Sequence, residues 1–124
     1  MYDQVLEITE GRTCDFSLLW ETEDENRART PVDLTDAIIE LEIRKSSDDS
    51  LLLRLSSEDG EITIAEPTTG ESQYHIAPSQ TEGQAAENWR DALWEVLVTF
   101  PSLDKYAIAS GQARLIRGIV QSRT

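Results

Sequence analysis

This chain is nearly without histidine and cysteine, the side chains most often used as metal ligands and as nucleophile or base in catalysis. It has one histidine and one cysteine in 124 residues. A single cysteine excludes an internal disulfide and a cysteine-rich zinc site, both of which need at least a pair. Cys14 lies in a strand-like run with Phe16, Leu18 and Trp20, so it reads as a buried structural thiol, not a nucleophile. No apolar run approaches the roughly 18 residues needed to span a bilayer. The N-terminal MYDQVLEITEG carries acids where a secretory leader would carry lysine or arginine. A free thiol without such a leader fits a protein made in a reducing cytoplasm.

Positive charge is also scarce. Eleven basic side chains face 24 acidic ones, for a net charge of −13. The imbalance lies wholly in residues 1–73, with 6 basic and 19 acidic side chains, while residues 74–124 are balanced at 5 and 5. From Asp104 onward the sign reverses, with Lys105, Arg114, Arg117 and Arg123 against that one acid. The plain reading of the excess is a solubilising surface. The sharper one is an acidic face that meets a basic patch on a partner or on another copy. Either way phosphates are repelled, which disfavours nucleic acid as a partner.

What the chain does have is alternation. In Ala37–Arg44, residues Ala37, Ile39, Leu41 and Ile43 share one parity, and Ile38, Glu40, Glu42 and Arg44 the other. A period of two puts the first set on one face of a strand, and that face needs a second layer to cover it. The same pattern recurs in Arg12–Thr22, Leu51–Ser56, Glu61–Glu66, Ser72–Ala77 and Arg90–Phe100. Shorter strands are expected at Gln4–Thr9, Lys105–Ser110 and Gln112–Gln121, with a frayed end beyond. Polar or glycine-bearing turns separate them: 31–36, 46–50, 57–60, 67–70 and 101–104. Asp59-Gly60 reads as a hairpin corner, and Gly118 as a bulge or a close backbone approach. The charged stretch 21–30 reads as a solvated loop or hairpin tip. Its acids lack the glycine and closing glutamate of an EF-hand, so calcium is not expected there. Pro78–Asn88 is the one candidate helix, with Ser79 and Glu82 placed as a capping box and Gly83 weakening it.

Eight or nine strands, one short helix and no internal repeat predict a single all-β domain over residues 1–124. The expected form is an antiparallel, Ig-like β-sandwich with the helix before the penultimate strands; a closed barrel is the alternative.

No constellation for chemistry stands out. His75 takes the parity opposite to Tyr74 and Ile76, facing away from the core, with no second ligand for a metal. Glu95 lies between Trp94 and Val96, but its parity puts it on the outer face. Among the tryptophans, Trp20 and Trp94 share core parity, which leaves Trp89 as the one candidate for an exposed sugar-binding aromatic, although a core or interface anchor is the favoured reading. No catalytic, cofactor-binding or metal-binding residue is therefore assigned, no cofactor is expected, and the chain reads as a non-enzyme.

The order of motifs resembles that of a family of small β-sandwich proteins and N-terminal domains from tailed-phage structural gene clusters. That pattern runs "pvDLTg", a core strand like "a.m.iR", a leucine-rich "llleLst" and then "nGgItl". Here the matching residues are Pro31–Thr35, Ile39–Arg44, Leu51–Ser57 and Asp59–Ile64. Ser79–Ala86, Leu93–Phe100 and Gly111–Val120 are similar to the family's helix, aromatic strand and final strand. Asp36 departs from it, standing where a glycine is usual, and Asn88–Ala92 is a longer lead-in. The resemblance implies a virion component, assembled in the host cytoplasm, of the tail, baseplate or fibre-attachment type. Its partners would be other virion structural proteins and copies of itself, with no nucleic acid and no membrane. A capsid decoration protein is one alternative. A carbohydrate-binding module using Trp89 and an acidic DNA mimic are others, from different classes.

Overall fold

The computed structural model describes residues 2–120. The strands are β1 (Tyr2–Asp3), β2 (Leu6–Thr9), β3 (Cys14–Leu19), β4 (Glu21–Glu23), β5 (Arg29–Pro31) and β6 (Ile38–Lys45). They continue with β7 (Leu51–Ser56), β8 (Ile62–Thr63), β9 (Glu71–Ile76), β10 (Ala92–Thr99) and β11 (Lys105–Ile116). The one α-helix among the described residues, α1, is Pro78–Thr81, and single 3-10 turns occupy Ser57–Asp59, Pro67–Thr69 and Ala86–Trp89. No helix among the described residues is long and apolar enough to cross a membrane.

The protein is an all-β sandwich. One sheet has six strands in the order β1-β11-β10-β6-β7, with β2 also on β11; the other is β3-β9-β8, and β4-β5 forms a separate hairpin. Among the described residues no sheet closes on itself, so the fold is a sandwich and not a barrel. Alternation decides which faces meet. Ile39, Leu41 and Ile43 of β6 and Trp94, Val96 and Val98 of β10 form one core with Leu18, Ile62, Tyr74 and Ile76 of the smaller sheet. Each such side chain contributes about 1.5–3 kcal/mol by burial. Phe16 stacks on Tyr74 with ring centroids 4.8 Å apart. No buried side-chain nitrogen or oxygen among the described residues lacks a hydrogen-bond partner.

Several details depart from expectation. The pairing is not antiparallel throughout: β1 and β2 both lie parallel to β11. Lys105–Ile116 is one strand, not two, because Gly111 continues it with φ +151°. The close backbone approach therefore falls at Gly111, where a Cβ would collide with the Gln4 carbonyl oxygen. Gly118 lies beyond the strand, beside the Arg12 guanidinium. Gln121, Arg123 and the expected frayed end lie outside the described residues.

Asp59-Gly60 is a corner between sheets, not a hairpin, since β7 pairs with β6 and β8 with β9. Two serines set that crossover: Ser56 Oγ accepts from Glu58 N–H, and Ser57 Oγ accepts from Ile39 N–H at 2.9 Å. The expected helix shrinks to one turn. The Gln80 side chain, not Glu82, caps it by accepting from Ala77 N–H, and Gly83 at φ +81° ends any continuation. Among the described residues the strands number eleven because short pieces pair, notably β4 with β5, so the stretch 21–30, expected as a solvated loop or hairpin tip, is most of a hairpin that closes at Pro31. At its tip Asp24 Oδ1 accepts from the N–H groups of Asn26 and Ala28.

Candidate functional site

Two surfaces are left uncovered by the packing, and both follow from the strand pattern. The first is an edge. Among the described residues β3 has a strand on one side only, pairing with β9 from Cys14↔Ile76 to Leu19↔Glu71. An edge strand presents a row of backbone donors and acceptors to whatever approaches it. Beside it, on the outer face of the small sheet, His75 Nδ1 lies 2.6 Å from Asp15 Oδ1. Both side chains are exposed, as the parity of His75 predicts. Cys14 is half-buried, and burial together with the Asp15 carboxylate pushes its thiol up from the usual range.

The second surface is the outer face of the six-stranded sheet. β10 runs through its middle, flanked by β6 and β11, and carries Leu93, Glu95 and Leu97 outward. Leu93 is 49% exposed although it belongs to an interior strand. A groove of about 540 Å³ runs along these residues and is bounded by Glu42, Arg44 and Gly111. Glycine at 111 lets the Gln4 backbone pass directly against it, and the Gln4 carbonyl takes the Trp94 indole N–H at 3.0 Å.

The charges in the groove follow from register. Glu95 sits opposite Glu42 on β6 and opposite Ser110 on β11. Glu42 in turn faces Arg54 on β7. Arg44 Nε donates to Glu42 at 2.8 Å, and Arg54 bridges Glu40 and Glu42 at 2.5 and 3.4 Å. Two of the three carboxylates are thus neutralised. Glu95 has no cation within 4 Å among the described residues.

Of the residues weighed from sequence, Trp89 takes the favoured role of a core anchor, not that of an exposed aromatic. It is 1% exposed, and its indole N–H donates to Gln84 Oε1 at 2.7 Å. That removes the aromatic platform on which a sugar site was founded. The Gln84 amide meanwhile donates to Leu52 and Gln80 carbonyls, so the turn Ala86–Trp89 is pinned to β7 and α1. Parity gave no warning because Trp89 lies in a turn, where period-two reasoning does not apply. Half-exposed aromatics occur elsewhere: Trp20, Phe100 and Tyr106 cluster with centroids 5.8–5.9 Å apart at one end of the sandwich. Among the described residues no three His, Cys, Asp or Glu side chains group to hold a metal.

No protein-family model matches this sequence, and no curated protein matches it. Among solved structures, murine CRIg is similar at a TM-score of 0.37, with 11% identity over 92% of this chain and 92% of that one.

Proposed function

We propose that this chain is a non-enzymatic assembly module: a structural component of a phage virion, of the tail, baseplate or fibre-attachment type. The observation that carries the assembly role is the one-sided pairing of β3. Its backbone can take an added strand from a neighbouring protein or a second copy, gaining main-chain hydrogen bonds without a prior rearrangement. The exposed residues Asp15 and Ser17 alternate along it with side chains turned to the core, so a docked strand meets polar groups at its rim. The motif order from Pro31 to Ile64 supports the virion setting.

The test is reconstitution. Purified chain is mixed with structural proteins of a tailed particle and followed by size-exclusion chromatography with light scattering. The expected result is a defined complex with a tail protein that is lost in Ser17→Lys, because an edge lysine blocks strand addition while leaving an exposed position otherwise undisturbed. A chain that ignores every tail protein overturns the reading. Binding to heads in hundreds of copies would convert it to capsid decoration.

A further inference from the structure

We propose that the groove on the outer face of the six-stranded sheet seats a protein segment presenting a lysine or arginine to Glu95. Apolar side chains flanking that cation would pack on Leu93 and Leu97. This deepens the assembly reading and rests on it.

Three observations carry the inference. Leu93 and Leu97 bracket Glu95 on the middle strand of the sheet, and the fold lays nothing over them. Glu95 and Glu42 are cross-strand partners of like charge, an arrangement that works against folding. Arg44 and Arg54 are already engaged with Glu40 and Glu42, and Lys45, which also lines the groove, is not within 4 Å of Glu95; acids therefore outnumber cations along the groove, and Glu95 stands between two leucines without an ion-pair partner among the described residues. A cation from outside supplies what the face lacks, and desolvation by the leucines strengthens the pair it makes.

The same charges argue against a second copy as the occupant. Two such faces meeting about a two-fold axis would set Glu95 and Glu42 of one protomer against those of its partner. A chain of net charge −13 also repels itself on approach. The occupant is therefore a different chain.

The experiment uses three synthetic strand-like peptides, identical except for a central arginine, glutamine or glutamate between two leucines. Binding is followed by amide shift changes in the full-length chain. The expected result is that the arginine peptide shifts amides of β6, β10 and β11, weakens as salt rises, and binds about tenfold more tightly than the glutamine peptide. Glu95→Gln should abolish that tenfold preference, and Leu93→Ser should weaken the arginine and glutamine peptides alike. No binding at about 1 mM arginine peptide overturns the proposal, as does binding that maps to β3 or is unchanged by Glu95→Gln. Dimerisation through this face, lost in Leu93→Ser, overturns it in favour of a second copy. If a reconstituted tail complex survives Glu95→Gln but not Ser17→Lys, the groove inference fails and the assembly reading stands. If the unaltered chain joins no complex, the assembly reading itself fails.

Discussion

Glu95 shows how a residue can be costly to the free molecule and still be retained by the pattern. Opposite Glu42 and without a cation, it destabilises the sheet by Coulomb repulsion that water only partly screens. Glu95→Gln should therefore raise the unfolding midpoint, by roughly a few tenths of a kcal/mol, with the gain shrinking as salt is added. Denaturant titration at low and high salt checks this. Tyr74 makes the opposite case. Burial against Phe16 pushes its hydroxyl up to about 12, only partly offset by the bond it shares with Ser72 at 2.7 Å. The unfolded chain deprotonates this group near its ordinary value of about 10, so between about pH 10 and 12 the unfolded state is favoured progressively. Stability should be untouched by Tyr74 below pH 10 and fall through that window. Tyr74→Phe should flatten the fall, measured by thermal unfolding against pH. Asp36 adopts φ +60°, a left-handed turn conformation that aspartate tolerates better than most side chains.

At the level of elements, alternation located the core strands well, because burial imposes a period of two that residues of β6 and β10 cannot evade. Ile39, Leu41, Ile43, Val96 and Val98 are all fully buried, on the parity the sequence assigns them. It failed wherever a long-range backbone contact decides the outcome. Nothing local in Gly111 reveals that Gln4 passes against it, or that β1 and β2 run parallel to β11 on either side of that point. Gly111→Ala should break this crossing, since its Cβ would fall on the carbonyl that also receives the Trp94 indole N–H. A loss of about 2 kcal/mol or more is expected, with hydrogen exchange speeding up first in Leu6–Thr9. The outer groove was half legible. The outward parity of Glu95 could be read, whereas its missing counter-charge depends on the register of β6, β7 and β10, which no single segment encodes.

For the molecule as a whole, the surface charge dominates. Only 11 cations offset 24 acids, and the excess is concentrated in residues 1–73, which supply β3, β8 and the first half of β9 in the smaller sheet. Self-repulsion on that scale opposes compaction and is screened within about 10 Å at 0.1 M ionic strength. Melting temperature should therefore climb by several degrees between about 10 mM and 500 mM sodium chloride. A flat response in differential scanning calorimetry would show that the acids are too dispersed to matter.

Strands β2 and β11 lie side by side and point the same way. A pull that draws the start of β2 and the finish of β11 apart slides the two strands along each other. The rungs from Ala113↔Leu6 to Ile116↔Thr9 then share the load together, instead of opening one at a time like a zipper. Tension carried along a string of attached domains would thus meet this one in its mechanically stiff direction.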